Sequence, residues 1–378
     1  MVSFVNHSVF PALRFEGLDQ HDIGFDIVVA RVTYDLDIQD ARAALERSAQ
    51  QASLVYCDEH YGDPVATSVR YESDLAPYKP RTDVVINATA FAPHGMAALS
   101  FDVTAAVGPA RKTLRIHGPR LWKFGLSGWA LGRAAPIGCL DIRYERACGG
   151  CYQVEERTVA CADNPIGIGW YPAEYLARCE KIELPAAQIE SADSPIVTID
   201  EPTTPAGFGF FGKSWHGRIE FGGTYDSKWL EERHPYLPKD FDFRYWCGTH
   251  PSLQIAHPRP GGNVPVSLHG LVPASEVPDQ RIAFDIPVET LFVYVKSGLG
   301  FGATKDMALD TIVIDMHERR VFCSYRIALA KQLEATEIQL RYLPAHERQR
   351  QTALAAAMLD DPSSPTFLPL PPSLMKKE

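Results

Sequence analysis

Residues 25–34 read Phe-Asp-Ile-Val-Val-Ala-Arg-Val-Thr-Tyr, and no other stretch of the chain constrains its fold more. β-Branched and aromatic residues fill this run, so it suits a packed, pleated strand and disfavours a helix. Similar runs recur. Asp83–Ala92 is a second strand candidate, and Leu99–Val107 and Arg111–His117 flank the turn signal Gly108-Pro109 as a hairpin. Further strands are expected at Ile196–Ile199, Ser214–Phe221, Val264–Leu271, Arg281–Ile286 and Leu291–Val295. Thr311–Met316 and Val321–Arg326, joined by four polar residues, read as another hairpin, with Ile338–Tyr342 after it. Residues 118–195 are irregular and rich in Gly, Pro and Arg, with short pieces such as Cys139–Tyr144.

Helix signals are scarce. Asp40 is placed to cap a short helix through Arg47. Glu347–Leu359, rich in Ala, Arg and Gln with no breaker, suits a C-terminal helix. Residues 360–378 read as an extended Pro-rich tail. The expected fold is mainly β: a large antiparallel β-sandwich-like architecture with long ordered loops and a short C-terminal helix. The β-rich region spans 1–343, as one unit or as two packed β lobes at about 1–195 and 196–343, and is followed by 344–378.

Composition narrows the function classes. With 46% hydrophobic and 22% charged residues, the chain has the make-up of a soluble globular protein. Its net charge of −10 opposes nucleic-acid or membrane-surface binding, which takes a basic face. The opening Met1–Phe15 lacks a basic segment followed by an apolar core, and no stretch approaches the roughly 18–20 apolar residues of a membrane span. A cytoplasmic location is therefore expected, with the eight cysteines as reduced thiols.

Several patterns invite chemistry and fall short of it. Cys148 and Cys151 form one close pair, with Cys139 and Cys161 scattered around it, whereas a zinc ribbon presents two such pairs to one tetrahedral ion. His216, His234, His250 and His257 share a region with Asp226, Asp240 and Asp242, yet no pair has the helical i, i+4 spacing of a metalloprotease. Glu231, Glu232, Asp240 and Asp242 lie among aromatics, as in a carbohydrate hydrolase, but Arg233, Lys239 and Arg244 beside them favour loop-ordering ion pairs. Gly207–Ser214 spells G-x-x-x-x-G-K-S. A phosphate-binding loop needs a strand before it and a helix after it; Glu201–Pro205 is a turn and Trp215–Ile219 does not read as helical. No catalytic residue, metal or cofactor is expected.

The segment Gly222–Trp246 remains. It combines a Gly-Gly step, Pro235, Pro238 and many large rings, which suggests a long ordered loop clamped by its own aromatics, with Trp229 and Phe241 as anchors.

Motifs along the chain resemble the bacterial family named for its domain of unknown function, DUF2169. Val28–Tyr34, Tyr61–Pro64, Ser73–Pro80 (with Asp74 and Lys79), Thr82–Val85 (with Asp83) and Gly118–Trp122 (with Arg120 and Trp122) follow the family's order. So do Arg143–Gly150 (with Arg143 and Tyr144) and Asn164–Trp170 (with Asn164, Gly167 and Gly169). The sharpest likeness is Gly223, Thr224, Tyr225, Asp226, Trp229 and Leu237–Arg244, the last including Pro238, Asp240 and Arg244. These residues and Trp215 are expected to be structural or partner-binding. Cys148 stands where the family usually has Phe. The resemblance implies an adaptor or chaperone of type VI secretion that holds a toxic effector and aids its loading onto the spike tip. The implied partners are a secreted effector bearing a PAAR-type or toxin domain, and the spike protein. The rival reading is a carbohydrate-active or metal-dependent hydrolase.

Overall fold

The structure, a computed structural model, describes residues 2–297, 302–331 and 335–344. The fold is mainly β. One sheet orders its strands Gln254–Ile255, Thr82–Asn87, Ala308–Asp315, Arg320–Ala330, Gly24–Asp37 and Ala12–Leu18, and Ala44–Arg47 pairs with the far end of Gly24–Asp37. A second sheet runs Ile189–Ser191, Ala110–His117, Ser100–Val107, Asn263–His269 and Arg281–Pro287. A third joins Ser3–Asn6, Ala335–Leu343, Thr290–Ser297 and Gly302–Asp306. Thr82–Asn87 with Ala308–Asp315, and Ser3–Asn6 with Ala335–Leu343, pair in parallel; the other strand pairings are antiparallel. The first two sheets each mix strands from before and after residue 195.

Side-chain alternation explains the layers. In Ser100–Val107, Phe101, Val103, Ala105 and Val107 are buried and the residues between them face outward, as in a sheet with one solvated face. Gly24–Asp37 differs, because its interior is buried on both sides. Val28, Ala30, Val32 and Tyr34 enter the main apolar core, shared with Leu114, Ile116, Leu268, Ile286, Val293 and Ile338 of the other two sheets. Arg31 and Thr33 point the opposite way, beside Ser324 and Phe322 on the neighbouring strand. Each fully buried aliphatic contributes roughly 1.5–3 kcal/mol. A one-residue slip of this strand exchanges Ala30 for Arg31 in the core, so the register is strongly specified. A smaller core gathers Trp122, Cys148, Cys161, Trp170, Tyr171 and Leu184 from the irregular middle of the chain.

The structure corrects several local expectations. Ala44–Arg47 is a strand rather than a helix, and Asp40 caps a turn by accepting from Arg42 N. Ile196–Ile199 pairs with no strand: Ile196 N donates to the Glu190 carboxylate, and Ile199 O accepts from Tyr171 N. Ser214–Phe221 is not a strand, since His216–Ile219 forms a single helical turn. Asp83–Ala92 splits at Ala88 into Thr82–Asn87 and Thr89–Phe91, which join different sheets. The Cys139 strand stops at Asp141, and Tyr144 opens a 3-10 turn. The expected C-terminal helix and tail lie outside the described residues.

Candidate functional site

The second face of the first sheet carries a buried ionic layer. Arg31 Nη1 lies 3.2 Å from Asp74 Oδ2, and Asp74 also accepts from Val55 N and Ser324 Oγ. Arg326 Nε donates to Asp310 Oδ2 at 2.6 Å. Lys79 Nζ lies 2.8 Å from Asp83 and 3.6 Å from Glu72, and Glu72 in turn pairs with Arg218. Burial alone would pull the Lys79 ammonium down, but Asp83, Glu72 and Asp310 outweigh it and hold its pKa above the ordinary value. At the end of the layer, Asp315 accepts from Arg70 Nη2 at 3.1 Å and Tyr71 OH at 2.5 Å. Burial pushes this carboxyl up, while Tyr71, the Glu318 N–H and Arg70 bring it below the usual range. Such groups are tolerated in an interior only when paired, and removing one partner strands the other.

This layer anchors the Gly222–Trp246 segment. Arg218 Nε donates to Tyr245 O at 2.9 Å, and Asp83 accepts from Gly248 N at 2.9 Å and Thr249 Oγ1 at 2.8 Å. The segment holds a short helix, Ser227–Glu232, capped by Asp226 accepting from Trp229 N, and a 3-10 turn, Phe243–Trp246, capped by Asp242. Asp240 accepts from Thr224 N and Oγ1. Gly223 and buried Pro238 lie against each other, and Arg244 pairs with Asp242 at 2.6 Å. Phe241 is buried. Trp229 is only half-buried, with its ring edge-on to Tyr225 at 4.6 Å and its Nε1 donating to Tyr236 O. The large side chains are less enclosed than their number suggests: Tyr225, Leu230 and Tyr236 are 54%, 61% and 47% exposed. Arg233 fastens the segment to the Asp22 carboxylate, and Tyr78 meets Phe243 edge-on at 5.8 Å. Phe243 lines a largely apolar pocket of about 320 Å³, together with Leu18, Asp19, Gln20, Phe25, Pro77, Tyr78 and Ala328.

The remaining motif residues tie loops together. Asn164 Nδ2 donates to Tyr144 O and Cys148 O. A Cβ on Gly149 would lie 2.1 Å from Asn164 O, and one on Gly167 would lie 2.8 Å from both Ala147 O and Gly149 Cα, so the two motif loops dock backbone to backbone. Trp122 Nε1 donates to Gly169 O at 2.9 Å. Arg120 reaches Glu190 at 2.9 Å, with His117 on the other carboxylate oxygen at 2.8 Å. Burial pushes the Glu190 carboxyl up, but these hydrogen bonds prevail and bring it down to about 2. Arg143 pairs with Asp141 and lies 4.1 Å over the Tyr61 ring. Tyr144 packs on Trp215 and Phe211 and donates its hydroxyl to Gly209 O.

The patterns that invited chemistry do not converge. A Cβ on Gly207 would lie 2.6 Å from the Tyr144 ring, no strand precedes the G-x-x-x-x-G-K-S run, and Lys213 Nζ is held by both Asp58 oxygens at 2.8 Å. The one-turn helix after it is too short to form an anion-binding end. His216 pairs with Asp163, His250 with Ser252, and His257 with Thr82, while His234 packs on Trp229. A cleft of about 430 Å³ contains His216, His250 and Cys247. Burial there lowers His250 to about 4 and raises the Cys247 thiol to about 12, so neither is poised as base or nucleophile. Cys148 and Cys161 are buried, Cys139 and Cys151 exposed, and no group of three or more His, Cys, Asp or Glu among the described residues is arranged to hold a metal.

Residues 25–326 match the family described as an uncharacterized protein conserved in bacteria, DUF2169. The chain belongs to this family. No curated protein and no solved structure matches it. The matched span of this DUF2169 protein includes the ionic layer, the docked glycine loops and the Gly222–Trp246 segment. Sequence reasoning named Asp74, Lys79 and Asp83 but missed their partners Arg31, Glu72, Arg218, Asp310 and Arg326. The available signal was charge set inside β-branched runs, as at Arg31.

Proposed function

We propose that this DUF2169 protein is a cytoplasmic, non-enzymatic adaptor or chaperone of type VI secretion. It holds a toxic effector, carrying a PAAR-type or toxin domain, and helps load it onto the spike tip. One observation carries the reading. The Gly222–Trp246 segment is tied at its C-terminal end to the buried ionic layer by Arg218 and through Arg233 to Asp22, yet offers Tyr225, Leu230 and Tyr236 to solvent, while its Phe243 lines a largely apolar pocket. Large exposed rings on a rigid mount are the make-up of a protein-binding surface. The cost of ordering such a surface is met on folding, before a client arrives. A net charge of −10 suits steering of a basic client. No helix among the described residues is long and apolar enough to cross a membrane.

The test is deletion of the gene in its host, with the level and secretion of the host's PAAR-type toxins measured by immunoblot. Loss of toxin that is restored by the wild-type chain is the expected result. Unchanged toxin level and secretion would overturn the reading.

A further inference from the structure

We propose that the client enters as an extended, uncharged strand paired to the outer edge of Ala12–Leu18, with one large apolar side chain in the pocket beside Tyr78. The inference rests on the adaptor reading and adds the mode of recognition.

The phase of pairing exposes the edge. Asp19 N donates to Ile23 O and Arg31 N donates to Pro11 O, so the odd-numbered residues of this strand bond inward to Gly24–Asp37. The N–H and C=O groups of Ala12, Arg14, Glu16 and Leu18 therefore point outward. Among the described residues no strand pairs with that side. A seven-residue edge of unpaired donors and acceptors is a template for another strand.

Three other edges are less available. Gln254–Ile255 is two residues long. Arg281–Pro287 is covered where Ala283 exchanges backbone bonds with Ala41 and Ala43. Gly302–Asp306 is exposed throughout but guarded by Lys305 and Asp306.

Charge decides what kind of strand fits. Arg14 is taken by Asp26 and Glu16, Lys331 by Glu16, and Asp22 by Arg233. The Asp19 carboxylate accepts from His21 N and Ile23 N. These charges along the strip are satisfied internally, so a charged occupant would lose water without gaining a counter-ion. The largely apolar pocket opens at the Leu18 end of this strand, next to exposed Leu18 and Tyr78, and extends inward over Phe25 and Ala328, with Asp19 and Gln20 also lining it. Main-chain pairing then supplies affinity, and the pocket sets register.

The probe is a PAAR-type toxin of the host that carries this gene, and the readouts are affinity and amide hydrogen exchange on full-length protein. Glu16→Pro removes one outward N–H, a change an edge strand tolerates. Leu18→Lys puts a charge at the pocket mouth. Each is expected to weaken binding at least about tenfold with an unchanged melting temperature, and Val197→Lys, on an exposed residue elsewhere, leaves binding unchanged. In the wild-type complex the amides of Arg14, Glu16 and Leu18 exchange more slowly than in the free protein. Should Glu16→Pro fail to fold, Leu18→Lys and the wild-type exchange data still decide.

Wild-type binding with both variants equally tight, and edge amides unprotected, overturns strand addition and leaves the adaptor reading standing. Absence of wild-type binding overturns both. Protection already present in the free chain also overturns the proposal, whether it is lost on truncation after Pro344 or accompanied by a dimeric mass. In those cases the occupant is the chain's own C-terminal segment or a second copy.

Discussion

Lys79 Nζ and Asp83 Oδ2 meet at 2.8 Å in an interior that leaves 3% of the lysine side chain and none of the aspartate exposed. The same carboxylate accepts from Gly248 N and Thr249, just beyond the Gly222–Trp246 segment. One buried anion thus joins a cation on the sheet face to the backbone that follows the Gly222–Trp246 segment. Lys79→Met leaves Asp83 and Glu72 without their ammonium, and the expected loss is about 3–5 kcal/mol. Urea denaturation at pH 7 measures it, and a loss below about 1 kcal/mol would show that the pair is structurally idle.

The docking of the two glycine loops is equally testable. Gly167→Ala forces a Cβ to within 2.4 Å of Asn164 Nδ2 and 2.8 Å of Ala147 O. Overpacking of this kind costs about 1–3 kcal/mol, or more where backbone must move. Gly138 has open space around it, so Gly138→Ala should stay within about 0.5 kcal/mol of wild type. Equal melting temperatures for the two variants would contradict the docking.

Glu190 sets an acid limit. Its folded carboxyl is depressed from 4.5 to about 2: burial opposes the shift, and hydrogen bonds from His117 and Arg120 outweigh burial. A depressed carboxylate adds stability that is fully present above about pH 4.5 and is lost as pH falls toward 2. The wild type should therefore lose stability more steeply across that window than Glu190→Gln, which starts lower at pH 7. Parallel curves in a pH series of thermal melts would refute this.

Lys112 works in the opposite sense. It lies in register with Ala110, Leu114 and Ile116 on the core side of its strand, and its Nζ has no hydrogen-bond partner. Burial lowers its pKa from 10.5 to about 7. The unfolded chain then binds the proton more strongly, so stability rises between pH 7 and 10.5, and below 7 the penalty is complete. Lys112→Met should gain a few kcal/mol at pH 7 and little at pH 10.5. A gain that does not change with pH would assign the effect to packing instead.

Much of the sheet framework was legible because its signals are local. Phe25–Tyr34 is continuous since both faces are buried, and Gly108-Pro109 marks its hairpin directly. Ala44–Arg47 carries a helical composition that pairing with Gly24–Asp37 overrides. Ala12–Leu18 alternates weakly and contains Gly17, so it escaped notice as a strand. The ionic layer was half visible: Arg31 and Glu72 stand far from Arg218, Asp310 and Arg326 in the chain, and topology alone brings them together. The exposure of Tyr225 and Tyr236 runs against the tendency of rings to bury, so composition alone pointed to a more enclosed loop.

Whether this chain is an adaptor is decided most directly by co-expressing it with the PAAR-type toxins of its host and measuring mass by size-exclusion chromatography with light scattering. The predicted result is one stable stoichiometric peak containing both proteins, weakened when Tyr225 and Tyr236 are replaced by Ser. Separate elution of the two folded proteins would contradict it.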